Sequence, residues 1–225
     1  MLSIIATPIG NLGDITLRAL ETFKIVNAII CEDTRVAGAL LHHLNLPKKE
    51  LISMHGYSSP EKLDAVIERL LQGEHMALVS DAGTPGISDP GFLLVSKARA
   101  AGVKIEAIPG PSAFLTALSA SGLPINHFLY LGFLPLKKGR KTMIASFAEA
   151  EETIVFYESV HRIERTLIEI AEALKDQPER NIVVCRELTK LHEETISTTI
   201  SELPETAKKM VKKGEFVVVI GPMDR

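Results

Sequence analysis

Three loops rich in glycine and proline could bind a small cationic or zwitterionic molecule. The longest, "SDAGTPGISDPG" at residues 80–91, follows the apolar run "HMALV", and "TPIGNLGD" and "IPGPSA" repeat the design after two other apolar runs. Gly83 and Gly86 let the backbone approach a ligand closely, while the prolines stiffen the loop. Backbone carbonyls and the carboxylates of Asp81 and Asp89 suit amino and sulfonium groups.

Neither common phosphate-binding motif occurs in these loops. The sequence has no G-x-x-x-x-G-K-[ST] and no G-x-G-x-x-G, so a phosphate cradle of the familiar kinds is not indicated. For any one of the three loops, a tight strand-to-helix turn is an equally good interpretation. Ile9, Phe114 and Tyr157 could supply apolar walls to a ligand, although each is also a plausible core residue.

The elements that must position these loops are alternating strands and helices. Five apolar runs, "LSIIAT", "AIICE", "LISMH", "MALVS" and "VKIEAI", predict the strands of a first sheet. The clearest helix is "SPEKLDAVIERLLQG", with Ser59 as its cap, Pro60 at its first position and Gly73 as its stop. The polar loops follow the strands, and in open α/β sheets ligands bind at the carboxyl ends of strands.

The pattern restarts after the small-residue helix 112–122. We therefore predict two α/β domains, 1–122 and 123–225, each a largely parallel or mixed sheet flanked by helices, with a ligand cleft between the domains. The alternating "TISTTISEL" predicts an antiparallel or edge strand, which favours a mixed second sheet.

Composition narrows the class of protein. The chain has 225 residues and a formal net charge of −3, which argues against wholesale coating of nucleic acid but permits a local basic patch. No run approaches the length of a membrane span, and no basic segment precedes the first apolar run, so we expect a cytoplasmic protein. Cys31 and Cys185 are expected to be reduced core thiols. The histidines lack metal-ligand spacing, so no metal is expected.

Seven ordered motifs resemble one known family. They are "ATPIGNLGDIT", "CEDTR", "LVSDAGTPGISDPG", "IPGPSA", "FYESVHR", "RELTKLHEE" and "KGEFVVVIG". The chain is similar along nearly its whole length to the bacterial 16S ribosomal RNA ribose 2′-O-methyltransferases, which modify a decoding-region cytidine and belong to the tetrapyrrole-methylase superfamily. The resemblance implies a two-domain tetrapyrrole-methylase-like fold, S-adenosylmethionine between the domains, 16S rRNA or the 30S subunit as partner, and a homodimer.

The resemblance also assigns cofactor-binding residues and shows two departures. The assigned residues are Pro8, Ile9, Gly10, Asp81, Gly83, Pro85, Ser112, Ala113 and Tyr157. Val160 stands where the family commonly has proline. Longer members continue into a small C-terminal helical domain beyond the point corresponding to Arg225, and we expect any role of that domain in RNA docking to be absent or replaced here.

Methylation of a ribose hydroxyl would benefit from a general base, because the hydroxyl is a poor nucleophile. The candidate groups are Glu32, Asp33, His55, Glu158, His161, Glu187 and Lys190. Our hypothesis is that Asp33 or Glu158 activates the hydroxyl. The predicted RNA-binding residues are Arg35, Lys137, Lys138, Arg140, Lys141, Arg162, Arg186 and Lys190.

Several alternatives remain open at this point. "EDTR" and "YESVHR" could form salt bridges that only shape the cleft, and "LPLKKGRK" could be a solvated run of charge. At the level of function, the alternatives are a superfamily methyltransferase that acts on a small molecule or a protein side chain, and a non-catalytic RNA-binding factor.

Overall fold

The computed structural model describes residues 1–56, 59–88 and 91–223. The chain divides into two compact units, Met1–Ser112 and Ala113–Arg225. The sequence places the boundary after Gly122 instead. The division falls earlier because the helix Ala113–Ser121 packs against strands of the second unit. Asp89, proposed above as a loop carboxylate, lies outside the described residues. No helix in these ranges is long and apolar enough to cross a membrane.

The first unit is a parallel five-stranded sheet with helices on both faces, as the sequence predicts. Its strands are β1 (Leu2–Ile5), β2 (Ala28–Cys31), β3 (Glu50–Ser53), β4 (Met76–Leu78) and β5 (Ile105–Ile108), in the order β3-β2-β4-β1-β5. Its helices are α1 (Leu17–Ile25), α2 (Thr34–His43), α3 (Pro60–Leu71) and α4 (Gly91–Ala100), and a short 3-10 turn spans Leu12–Asp14.

Apolar side chains divide these helices between the two faces of the sheet. Phe23 of α1 and Leu41 of α2 pack in one core, together with Ile5 of β1. Ile67 of α3 and Leu94 of α4 pack in the other core. The helices that follow β1 and β4 therefore leave the sheet towards opposite faces.

The helix ends follow from local chemistry. Ser59 caps α3 by accepting a hydrogen bond from the Lys62 N–H at 3.4 Å, and Pro60 stands in its first turn, as predicted. Asp33 caps α2 in the same way through the Arg35 N–H. Neither α2 nor α4 is among the helices predicted from the sequence.

The second unit is a mixed five-stranded sheet, which confirms the predicted fold class. Its strands are β6 (Phe128–Phe133), β7 (Thr153–Glu158), β8 (Asn181–Arg186), β9 (Glu194–Thr199) and β10 (Phe216–Ile220), in the order β6-β7-β10-β8-β9. Only β6 and β7 are parallel among these pairs. Its helices are α5 (Ala113–Ser121), α6 (Arg140–Ser146), α7 (Ile163–Ala173) and α8 (Leu203–Lys209), with a 3-10 turn at Phe147–Glu149.

Helices cover the second sheet unequally. Ile144, Leu167 and Leu203, from α6, α7 and α8, pack in one core with Phe156 of β7. The helix α5 contacts β7 and β10, and its Phe114 stacks on Tyr130, so α5 lies on the opposite face. The edge strand β6 keeps exposed apolar side chains.

Candidate functional site

The first unit has a topological switch point between β1 and β4. These strands are neighbours, yet α1 follows β1 on one face and α4 follows β4 on the other. Loops that diverge in this way leave a crevice at the carboxyl edge of a parallel sheet, where ligands bind in α/β folds. The loops "TPIGNLGD" and "SDAGTPG" begin at this point.

A two-residue bridge joins these loops. The Thr7 N–H donates to the Gly83 carbonyl at 2.9 Å, and the Gly83 N–H donates to the Thr7 carbonyl at 3.0 Å. The buried Thr7 hydroxyl also donates to the Ser80 carbonyl at 3.2 Å. Gly83 has φ of +79°, a left-handed conformation that side chains other than glycine adopt at a cost. The bridge therefore fixes the loop in a shape that requires this glycine.

The third loop, "IPGPSA", joins the same cluster. The Thr84 hydroxyl donates to the Pro111 carbonyl at 3.1 Å. A Cβ atom built on Gly83 would lie 3.5 Å from Cγ2 of Ile9 and 3.8 Å from the Pro111 carbonyl oxygen. Residues from all three glycine- and proline-rich loops thus meet around Gly83.

Asp33 connects β2 to this cluster. Its backbone N–H donates to Oδ1 of Asp81 at 3.2 Å. Its carboxylate accepts from the Arg35 N–H at 2.8 Å and from the guanidinium of Arg35 at 2.5 to 3.2 Å. The Arg35 side chain and backbone hold the pKa of Asp33 at about 2, well below its ordinary value. Asp33 therefore stays ionised throughout the physiological pH range.

The cofactor residues assigned by resemblance differ in exposure. Gly10 and Asp81 are exposed, Pro8 and Ala113 are half-buried, and the others on the first unit's loops are buried: Ile9, Gly83, Pro85 and Ser112. Asp81 is the only carboxylate among the assigned residues, and its exposure leaves its side chain accessible to a ligand. Ala113 and Tyr157 belong to the second unit.

Glu158 lies in a buried ion-pair network in the second unit. Its side chain is 0% exposed, and its Oε1 is 2.7 Å from Nη2 of Arg162 and accepts from the Ser159 N–H at 2.7 Å. Its Oε2 accepts from the Thr166 hydroxyl at 2.7 Å and lies 3.6 Å from Nη1 of Arg140. Both carboxylate oxygens are thus occupied by partners within the unit.

Arg140 belongs to the same network, which corrects its predicted role in RNA binding. Its side chain is 5% exposed. Its guanidinium donates to Glu169 at 2.8 Å, to the Thr166 hydroxyl at 2.7 Å and to the Pro135 carbonyl at 3.3 Å. The basic segment therefore splits, because Arg140 points inward while Lys137, Lys138 and Lys141 are exposed.

Three more of the predicted RNA-binding cations, Arg162, Arg186 and Lys190, pair with carboxylates and are not exposed. Arg186 is buried, with its Nε 2.9 Å from Oε2 of Glu194. Burial alone would lower the pKa of Lys190, but the carboxylates of Glu187 and Glu215, each 2.9 Å away, outweigh it and raise that pKa. Arg35 is 89% exposed in its side chain. The structure therefore leaves Arg35 and the three lysines of the 137–141 segment as the accessible cations of the predicted set.

Tyr157 lies at the end of β7 among aromatic rings. Its ring centroid is 5.5 Å from that of Phe133 and 5.7 Å from that of Tyr130. Burial raises the pKa of the Tyr157 hydroxyl, and the neighbouring Tyr130 raises it further. The phenol therefore stays neutral and presents an apolar surface with one polar atom.

Sequence reasoning missed the hydroxyls that hold the loops together. Thr7, Ser80 and Thr84 each bond to a loop carbonyl. The available signal was the placement of hydroxyl residues directly beside the glycines and prolines, since such residues commonly bond to nearby backbone. Within the described ranges, no group of three His, Cys, Asp or Glu residues could hold a metal ion.

Comparison with known proteins supports one family. The model of the family described as Tetrapyrrole (Corrin/Porphyrin) Methylases matches residues 1–204. A protein of Haemophilus influenzae named Ribosomal RNA small subunit methyltransferase I is 47% identical over 223 residues, which cover 98% of this chain and 78% of that protein. The protein of the same name from Escherichia coli O157:H7 is 43% identical over 222 residues, covering 97% and 77%.

Solved structures share the fold at low sequence identity. Diphthine synthase superposes with a TM-score of 0.74 at 14% identity, covering 98% of this chain and 89% of that one. The uroporphyrin-III C-methyltransferase of Thermus thermophilus, complexed with S-adenosyl homocysteine, superposes with a TM-score of 0.65 at 20% identity, covering 97% and 96%.

Proposed function

Because the chain belongs to the ribosomal RNA small subunit methyltransferase I family of the tetrapyrrole methylases, we propose that it is an S-adenosylmethionine-dependent rRNA methyltransferase. In this proposal it methylates the ribose 2′-hydroxyl of a cytidine in the decoding region of 16S rRNA, within the 30S subunit. The enzyme acts in the cytoplasm as a homodimer. The observation that carries the proposal is the convergence of three glycine- and proline-rich loops around the Thr7–Gly83 bridge, beside Asp81.

The loops of the first unit fit the chemistry of the proposed cofactor. They offer backbone carbonyls, the exposed carboxylate of Asp81 and the apolar side chain of Ile9. These groups suit the amino group, the sulfonium and the adenosyl moiety of the cofactor. Binding these three parts of the cofactor does not require a lysine-rich phosphate clamp. Gly83 adopts a left-handed backbone conformation and has no side chain, so no side-chain atoms fill its position in the cluster. The assignments of Ala113 and Tyr157 stay predictions from the family resemblance.

Positioning of the two reactants supplies most of the rate enhancement in the proposed reaction. When bound, S-adenosylmethionine supplies a methyl group on a sulfonium, whose charge disappears as the methyl group is transferred. The chain must then hold the acceptor hydroxyl in line with that methyl group, and such orientation contributes a large share of the rate in displacement reactions. The bridged loops suit this task because hydrogen bonds from the Thr7 and Thr84 hydroxyls to loop carbonyls keep them in one shape.

Asp33 is the better of the two candidate carboxylates. Its side chain is 26% exposed, whereas that of Glu158 is 0% exposed. We assign Asp33 to accept a hydrogen bond from the ribose hydroxyl and to orient it. With a pKa of about 2, Asp33 is a weak base, so it acts mainly as a fixed negative charge. Glu158 is assigned to positioning, because it holds Arg140 and Arg162 in place.

Two measurements test the function. Calorimetry with S-adenosylmethionine tests the cofactor, and binding is expected. Transfer of labelled methyl from the cofactor to 30S subunits that lack this modification tests the substrate, with 50S subunits as the control. Cofactor binding with no label on 30S subunits would favour a small-molecule or protein acceptor. Absence of cofactor binding would favour a non-catalytic RNA-binding factor.

A further inference from the structure

Five aromatic rings form a continuous row in the second unit. The ring centroids of Phe128 and Phe114 lie 6.2 Å apart, and those of Phe114 and Tyr130 lie 4.4 Å apart. Tyr157 continues the row at 5.7 Å from Tyr130, and Phe133 ends it at 5.5 Å from Tyr157. Phe128 and Phe133, at the two ends of this aromatic row, are 40% and 55% exposed, while the three rings between them are half-buried.

A β-bulge places Phe133 in the row. Phe128 and Tyr130 pair with Thr153 and Val155 of β7, and the register then shifts so that Phe133 pairs with Tyr157. The strand β6 thus advances three residues from Tyr130 while β7 advances two. Paired residues share a face of the sheet, so the extra residue turns Phe133 to the same face as the other rings. Without it, alternation would send Phe133 to the opposite face.

The two faces of β6 differ in chemistry. Leu131 points to the sheet face that α7 covers and packs against the hydrophobic core on that face. The face with the row carries aromatic residues at each paired position of β6. Exposed apolar side chains on an edge strand promote association with other molecules, so a cluster of them indicates a binding surface. Flat rings on a strand edge suit the stacking of flat ligands.

A basic loop directly follows the row, and the chain at its start is hydrogen-bonded to two arginines. Lys137 and Lys138 are exposed, as is Lys141. The chain between Phe133 and these lysines is held by two guanidiniums, since Arg162 donates to the Leu134 carbonyl at 3.0 Å and Arg140 to the Pro135 carbonyl at 3.3 Å. The carboxylate of Glu158 forms ion pairs with both guanidiniums. Exposed cations therefore follow the exposed ring of Phe133 within a few residues along the chain.

We propose that the aromatic row and these lysines bind a single-stranded stretch of the rRNA substrate, with bases stacked on Phe128 and Phe133 and phosphates beside the lysines. The inference rests on the proposed function, which it deepens by naming where the acceptor strand binds. Single-stranded RNA is recognised by aromatic stacking of unpaired bases combined with cations along the backbone. The positive charge next to the rings complements the phosphates of RNA, which favours RNA as the occupant of this surface.

Substitution by leucine separates stacking from simple apolar contact. Phe133→Leu and Phe128→Leu keep an apolar side chain but remove the ring, and Phe133→Tyr keeps the ring. Each leucine variant is expected to raise KM for undermethylated 30S subunits by about fivefold or more, the loss of one stacked base. The KM for S-adenosylmethionine is expected to stay unchanged. Phe133→Tyr is expected to keep a KM for 30S subunits close to that of the wild-type enzyme. Ile168→Ala, which removes a 41% exposed apolar side chain on α7, is the matched control and is expected to change neither KM.

Other outcomes overturn the inference and identify the cause. Leucine variants with an unchanged KM for 30S subunits exclude stacking while the proposed function stands. A raised KM for S-adenosylmethionine alone would assign the row to the cofactor, and a changed oligomeric state in sedimentation would assign it to a second copy. If the unmodified enzyme transfers no methyl to 30S subunits, the proposed function fails and this inference fails with it. Because the two leucine variants lie at opposite ends of the row, misfolding of one leaves the other as the test.

Discussion

The backbone N–H of Asp33 donates to Oδ1 of Asp81 at 3.2 Å, which ties the residue that follows β2 to the loop that follows β4. One carboxylate therefore has two roles in our account, as an acceptor for Asp33 and as a ligand for the cofactor. Asp81→Ala removes both roles. We expect it to weaken S-adenosylmethionine binding about tenfold or more, the scale of a lost hydrogen bond to a charged group, as measured by calorimetry.

Asp81→Asn is the matched control for that change. It keeps an oxygen that can accept from the Asp33 N–H but removes the negative charge. Weakened binding in both variants supports a charge contact with the cofactor. Full affinity in Asp81→Asn would mean that Asp81 only organises the loop, which contradicts its assignment as a ligand.

Gly83→Ala tests the bridged loop. The φ of +79° makes the substitution strained, and the new methyl group would lie 3.5 Å from Ile9. We expect a loss of about 1 to 2 kcal/mol in unfolding free energy and weaker binding of S-adenosylmethionine. Gly73→Ala is the control, because Gly73 has φ of +98° with no atom within 4 Å of the new Cβ. Equal effects of the two variants on cofactor affinity would show that the bridge has no special role.

Glu158→Ala tests the assignment of Glu158 to positioning. Removing the carboxylate takes from Arg162 its ion-pair partner at 2.7 Å and leaves the buried guanidinium of Arg140 with Glu169 as its remaining carboxylate partner. We therefore expect a loss of about 3 to 5 kcal/mol in stability, seen in denaturant unfolding. Arg165→Ala, which removes an exposed pair with Glu169, should cost at most about 1 kcal/mol. Retained stability with abolished methyl transfer in Glu158→Ala would instead support the original hypothesis of a catalytic base.

The pH behaviour of Asp33 gives a direct spectroscopic test. Its pKa of about 2 depends first on the side chain of Arg35. A lowered pKa means that the ionised pair stabilises the folded state above the ordinary pKa, near 4, and that this contribution is lost as the pH falls towards 2. Carboxyl carbon NMR should show Asp33 titrating near pH 2, and Arg35→Ala should raise that midpoint towards the ordinary value. An unchanged midpoint in the variant would contradict the role of Arg35.

The three exposed lysines are expected to bind phosphate, in contrast to Arg140. Replacing Lys137, Lys138 and Lys141 by glutamine should reduce the slope of log affinity against log salt by about 2 for single-stranded RNA, with stability preserved. Arg140→Gln should destabilise the second unit instead, because its side chain is buried among Glu158, Glu169 and Thr166. A triple-glutamine variant with an unchanged salt slope would exclude these lysines from the interface.

The sequence predicted the fold well where a local pattern determines structure. The cap at Ser59 and the proline after it located α3, because these residues act on the helix end itself. The helix α2 was not predicted, because the sequence alone does not distinguish a carboxylate that caps a helix, as Asp33 does, from one that takes part in chemistry. The three loops were predicted correctly as a group, since the carboxyl ends of parallel strands lie on one edge.

Side-chain direction was the part that the sequence could not supply. Arg140 and Lys141 are neighbours in one basic run, yet one is buried and the other exposed. That difference depends on Glu158 and Glu169, which are distant in sequence and reach Arg140 only after β7 and α7 have packed. The position of Phe133 likewise depends on a bulge that alternation of residue types does not reveal.

The central claim is that this chain methylates a ribose in 16S rRNA, and mapping of the transferred methyl group tests it most directly. Labelled 30S subunits would be digested with nuclease and the labelled nucleotide identified. We expect label on a 2′-O-methylcytidine from the decoding region, in a linkage that resists alkaline cleavage. Label on a base, on ribosomal protein or on a distant nucleotide would contradict it.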